Sequence, residues 1–205
     1  MDSIRYGIYL RPDPVTCWVQ TQIVFALSRQ FGLVSAAAFP PHATLVGNLK
    51  TEASVVDLEA RITTALEGID RFPVFNKGIE RVRDAFFFNV HEDGCGEPNE
   101  PLVALAGAVL AAVLPLSVPV HDERTTPVAE NRFWAHLSLA SHDLGVDNHL
   151  ADEVGEFLAA LPLVAPETFE ATTVSLFETS ADDWNAHWWH TLRWRHLHSW
   201  TLPRR

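Results

Sequence analysis

Two short stretches of the 205-residue chain pair a histidine with a hydroxyl at the same spacing: His42-Ala43-Thr44-Leu45 and His136-Leu137-Ser138-Leu139. On an extended strand, residues two apart project to one face. His42 and Thr44 then stand together with Ala43 and Leu45 behind them. His136 and Ser138 stand together with Leu137 and Leu139 behind. Two imidazoles suit proton transfer at phosphorus. One takes a proton from the attacking nucleophile, and the other, protonated, gives one to the leaving oxygen. The two hydroxyls supply hydrogen bonds to nonbridging phosphate oxygens as charge builds there. This chemistry requires no metal and no other cofactor, and it predicts a bell-shaped pH profile with limbs in the range of roughly 5.5–8.

One H-x-[ST] triplet is a common accident; two carry weight only if matching elements position them. Ile4–Leu10 reads as a strand, rich in β-branched and aromatic residues. Asp13-Pro14 reads as a helix start, Val15, Val19, Ile23, Leu27 and Phe31 as its apolar stripe, and Gly32 as its end. His42–Leu49 is a second strand, followed by a helix that Ser54 and Asp57 cap and that buries Val55, Leu58, Ile62, Ala65 and Leu66. Strand-like runs Phe72–Val82 and Ala85–His91 follow, then a turn over Glu92–Glu100 and a helix over Leu102–Leu114. Pro115–Arg132 reads as a short strand and then a loop. Phe133–Ser141 is a strand, Asp147 caps a helix burying Leu150, Val154, Phe157, Leu158 and Leu161, and Phe169–Glu178 and Trp188–Trp200 are the last strands. Each motif strand is thus followed by a helix and two strands, with the cap 12 residues after His42 and 11 after His136. The expected fold is α+β: one domain over residues 1–205, with two similar lobes around a shared cleft and one motif in each.

Composition narrows the partners. With 15 basic and 26 acidic residues the formal charge is −11, which disfavours coating of long nucleic acids, although a pocket can still be locally positive. An apolar fraction of 47% with 20% charged residues is that of a globular chain. Cys17 and Cys95 are too few for a disulfide framework, the N-terminus carries no secretory signal pattern, and the apolar run Leu102–Leu116 is too short to span a bilayer. The expectation is a cytoplasmic monomer without a membrane partner. His187, His190, His196 and His198 lack the cysteines or the helical spacing of a zinc site, so no metal site is expected. Trp134 lies two residues before His136 and is a candidate pocket wall. Phe86 and Phe88 share a face, and Phe88 is a candidate platform for a substrate ring.

The two H-x-[ST]-x motifs, the opening Tyr6-Gly7-Ile8-Tyr9-Leu10-Arg11-Pro12, the approach Phe39-Pro40-Pro41-His42 and the segment Val174–Trp188 together resemble the 2H phosphoesterase superfamily, over most of the chain. The likeness is greatest to its small cyclic phosphodiesterases and bacterial 2′-5′ RNA ligase-like proteins. That resemblance implies a bilobal fold of duplicated antiparallel sheets with outer helices. It implies metal-independent opening of a cyclic phosphate, with His42 and His136 catalytic and Thr44 and Ser138 binding phosphate. His136 is then the base toward water and His42 the acid, although pseudo-symmetry permits the exchange. Tyr9 falls where the family carries an aromatic beside the cleft, a candidate for stacking on base or ribose. The implied partner is a small cyclic nucleotide, ADP-ribose 1″,2″-cyclic phosphate or an RNA terminus. A 2′-5′ RNA ligase or phosphodiesterase and a noncatalytic nucleotide-binding module are the alternatives.

Overall fold

Local helix signals act where the sequence puts them. In the computed structural model, which describes residues 4–119, 133–184 and 187–204, the Thr16 amide donates to the Asp13 carboxylate at 2.9 Å and Gly32 closes the helix at φ 74°, bounding α1 (Pro14–Phe31). Ser54 and Asp57 form a reciprocal capping box at the start of α2 (Val55–Leu66). Asn99 caps α3 (Glu100–Val113). The α1 stripe holds only in its middle: Val19, Ile23 and Leu27 are buried, whereas Val15 is exposed and Phe31 partly so. A four-residue spacing overshoots a full turn by about 40° per step, so the ends of a five-member stripe rotate out of the core.

The strands are β1 (Ile4–Arg11), β2 (Ala43–Leu49), β3 (Phe72–Phe75), β4 (Ile79–Val82), β5 (Ala85–Asn89), β6 (His136–Ala140), β7 (Thr168–Ala171), β8 (Thr173–Ser180) and β9 (Arg193–Thr201). Two expected strands are divided. Phe72–Val82 breaks into β3 and β4 at left-handed Gly78 (φ 96°), whose amide donates to the Asn76 side chain, and Phe169–Glu178 breaks at Thr172. Trp188–His190 is a 3-10 turn rather than strand. Leu114–Leu116 is also a 3-10 turn, and Ser117 makes a single bridge to Thr51 instead of the expected short strand. The loop expected after it lies at 120–132, outside the described residues. The Asp147 side chain makes no capping hydrogen bond to the expected helix: Asp147 ends α4 (His142–Val146), which the sequence reading missed, and a 3-10 turn then leads into α5 (Ala151–Ala160).

The architecture is α+β with antiparallel sheets, ordered β2-β1-β8-β9, β4-β5-β6 and β3-β7. The order strand-helix-strand-helix-strand-strand occurs twice: β1-α1-β2-α2-β3-β4, then β5-α3-β6-α5-β7-β8 with α4 inserted, before β9 closes the chain. The repeat therefore begins one strand and one helix ahead of each motif strand. The two halves interlock. β8 pairs with β1, β3 pairs with β7, α1 packs on β6 and α3 packs on β2.

Asp143, at the start of α4, ties the halves beside the motifs. Its buried carboxylate accepts hydrogen bonds from the Val34 amide, the Ser35 amide at 2.7 Å and the Ser35 hydroxyl at 2.6 Å. Across the repeat, the equivalent join is made by backbone, where the Val118 amide donates to the Lys50 carbonyl at 2.9 Å. Replacing Asp143 with Ala strands the Val34 amide and the buried Ser35 amide and hydroxyl, and is expected to cost roughly 2–4 kcal/mol. Denaturant unfolding of Asp143→Ala against wild type measures this. A change below about 0.5 kcal/mol, the scale of an ordinary surface substitution, would show that the carboxylate does not hold the halves.

Candidate active site

The motif strands β2 and β6 come into contact, and their polar faces line one cavity of about 810 Å³ that contains His42, Thr44, His136 and Ser138. Alternation makes this so: Ala43, Leu45, Leu137 and Leu139 are buried in the core behind them. Each histidine is half-buried and bonded to its own backbone in the same way. His42 Nδ1 lies 2.7 Å from the Pro40 carbonyl, and His136 Nδ1 lies 2.9 Å from the Trp134 carbonyl. A carbonyl only accepts, so Nδ1 carries the hydrogen and donates in both rings. That leaves each Nε2 with its lone pair, or with a second proton when the ring is charged.

Rings hold the imidazoles from the neighbouring strands. Tyr9 stands opposite Thr44 in the β1–β2 register and meets His42 edge-on at 4.4 Å. Phe87 stands opposite Ser138 in the β5–β6 register and meets His136 edge-on at 4.5 Å. Trp134 stacks on His136 at 4.8 Å, and Phe39 meets His42 at 4.9 Å. Tyr9 and Trp134 are thus at the cleft as expected, though Tyr9 is almost wholly buried and its geometry is that of a seat for His42. Phe88 is not at the cleft. It is 3% exposed and points into the core with Phe86, because the odd-numbered ring of the Phe86-Phe87-Phe88 run shares a face with Ser138.

Gln20 and His142 also line the cavity, and neither is marked by a motif. Gln20 Nε2 donates to the Ser138 carbonyl at 3.0 Å, fixing the second motif from α1. Among the described residues, no three His, Cys, Asp or Glu side chains are grouped to hold an ion. His187 and His190 stack on each other, His196 Nε2 lies 2.8 Å from the Ser199 hydroxyl, and His198 faces Glu59 at 3.9 Å. No described helix is long and apolar enough to cross a membrane.

A family model for the 2′-5′ RNA ligase superfamily matches residues 13–183. The chain belongs to this superfamily. No curated protein matches it by sequence. Among solved structures, a phosphoesterase is 16% identical with a TM-score of 0.57, over 98% of this chain and 99% of its own. E. coli LigT complexed with NADP+ is 14% identical with a TM-score of 0.57, over the full length of both chains. LigT complexed with 3′-AMP is 15% identical with a TM-score of 0.54, over 98% of this chain and 99% of its own. At these identities the likeness is one of fold.

In this superfamily member the enclosure of the imidazoles sets their acidity. Burial pushes His42 down to about 4. The Pro40 carbonyl opposes the shift, while the charges of His136 and Arg11 add to it. Burial also lowers His136, opposed by the Trp134 carbonyl and assisted by His142. Both rings are therefore neutral in the free protein at neutral pH, and the limbs expected from unperturbed histidines move to lower pH. The kcat/KM profile, which reports the free enzyme, should peak on the acid side of pH 6.5. The kcat optimum should lie higher, because a bound phosphate anion favours the imidazolium form. Initial rates across pH 4–9 on a turned-over phosphodiester measure both; a kcat/KM optimum at or above pH 7.5 would contradict the burial argument.

Proposed function

We propose that the protein is a metal-independent cyclic phosphodiesterase. It opens a nucleoside 2′,3′-cyclic phosphate or ADP-ribose 1″,2″-cyclic phosphate, with residues 1–205 acting as one catalytic domain whose halves each contribute one motif. The observation that carries this reading is the matched pair of imidazoles, each with Nδ1–H held on a carbonyl two residues upstream, beside a motif hydroxyl in one shared cavity. The cavity volume suits a ligand of nucleotide size, and LigT has been crystallised with 3′-AMP and with NADP+. Cys17 and Cys95 are free thiols, which suits the cytoplasm.

In the reaction, water oxygen bonds to phosphorus and its proton passes to His136 Nε2. The bond from phosphorus to the 3′-oxygen breaks, and that oxygen takes the proton of His42 Nε2. The product is a 2′-phosphate with a free 3′-hydroxyl. Thr44 and Ser138 donate to the nonbridging oxygens as they gain charge. The substrate phosphate supplies the negative charge that offsets burial, and it must do so at His42, the ring pushed down to about 4, for that ring to hold the proton it gives. The family description favours a second reading, the joining or cleavage of 2′-5′ links at RNA ends.

The test is turnover across 2′,3′-cyclic mononucleotides, ADP-ribose cyclic phosphate and 2′-5′ linked oligonucleotides, with EDTA present throughout. Undiminished hydrolysis of a cyclic phosphate is expected, and activity confined to the 2′-5′ oligonucleotides would favour the second reading. Loss with chelator and return with a divalent ion would overturn the mechanism. His42→Ala and His136→Ala are each expected to lower kcat by about 10²- to 10⁴-fold while the fold survives. Near-wild-type turnover in either variant would remove that histidine from the chemistry.

A further inference from the structure

The two motif histidines have unlike neighbours at equivalent positions of the repeat. The β5–β6 register sets Asn89 opposite His136. Continuing the β1–β2 register one residue beyond Leu10 and Ala43 sets Arg11 opposite His42. Asn89 is buried and its amide is fully used: Nδ2 donates to Glu80 and to Glu92, at 2.9 Å each, and Oδ1 accepts from the His91 amide at 3.0 Å. Arg11 brings a charge instead. Five other arginines, Arg71, Arg81, Arg193, Arg195 and Arg204, each pair with a carboxylate. Among the described residues Arg11 has no such partner. Its Nε is buried without a hydrogen bond, and its guanidinium carbon lies 5.7 Å from the centre of the Phe177 ring. Trp194, half-exposed, and His196 border the same ring at 5.8 and 5.2 Å.

A partly buried guanidinium without a carboxylate pays desolvation without return. Its planar fork matches a phosphate, and it stands beside His42, whose acidity its charge already shifts. We propose that Arg11 is an anion subsite beside His42, so that the favoured substrate carries a second phosphate in addition to the one being opened. The inference rests on the two-histidine reading, and its test separates the two. The asymmetry also orients the substrate: the second phosphate lies on the sheet of β1, and the Glu80 and Glu92 carboxylates border the opposite motif.

The experiment compares adenosine 2′,3′-cyclic phosphate with and without a 5′-phosphate as substrates, and adenosine 3′,5′-bisphosphate with 3′-AMP as ligands by calorimetry. Wild type, Arg11→Met and Arg11→Lys are measured at fixed ionic strength. Wild type should prefer the doubly phosphorylated member of each pair by about tenfold or more, the scale of one charge-assisted contact. Arg11→Met should bring both ratios to about one, and Arg11→Lys, which keeps the charge but not the fork, should fall between. Equal affinity of wild type for the bisphosphate and 3′-AMP would overturn the subsite, as would a preference that persists undiminished in Arg11→Met. Turnover of neither cyclic substrate, with the Arg11-dependent binding preference intact, would sink the two-histidine chemistry and leave the subsite standing.

Discussion

The hydrogen bond from each histidine Nδ1 to the carbonyl two residues upstream is the constraint on which the site depends. It decides the tautomer before any substrate arrives, and it fixes each ring at the entry to its strand, so that only Nε2 remains for proton transfer. The bond also opposes the fall in pKa that burial imposes, without cancelling it. The surrounding rings serve the same end. Tyr9 lies so closely over Gly7 that a Cβ there would stand 2.0 Å from its hydroxyl oxygen, which ties the glycine to the ring that seats His42. Phe87 performs the matching task for His136.

Holding two such histidines in one cavity requires more than two good strands. Each half of the chain lends a helix to the other's motif: α1 leaves β1 and packs on β6, and α3 leaves β5 and packs on β2. Gln20 uses this crossing to reach the Ser138 carbonyl, and Asp143 fixes the loop that leads toward His42 from the strand-end that follows His136. The separation of the imidazoles is therefore set by core packing between halves, and a rigid core transmits small changes far from the site.

What the sequence discloses is local. Capping at Asp13 and at Ser54 with Asp57 depends on residues three apart, and the alternation in His42–Leu45 and His136–Leu139 depends on residues two apart, so both are legible without tertiary knowledge. Three consecutive phenylalanines carry no alternation, and a register irregularity between Phe86 and Phe87 decides that Phe87, not Phe88, reaches His136. Asp147 has the type and place of a cap, but α4 precedes it and alters its backbone. Asp143 works through partners more than a hundred residues away, and Arg11 is distinguished by lacking a carboxylate partner among the described residues. Neither property exists until the chain is folded.

The central claim is that both motif imidazoles are neutral, Nδ1-protonated rings that offer Nε2 to the substrate phosphate. Ring nitrogen-15 NMR of His42 and His136 measures it directly, with assignments from single-histidine variants and spectra recorded at pH 7 before and after addition of 3′-AMP. The predicted result is the Nδ1–H tautomer for both rings in the free protein, with the Nε2 signal of at least one ring moving toward the protonated position when the nucleotide binds. An Nε2–H tautomer in either ring, or two imidazolium rings in the free protein at pH 7, would contradict the account.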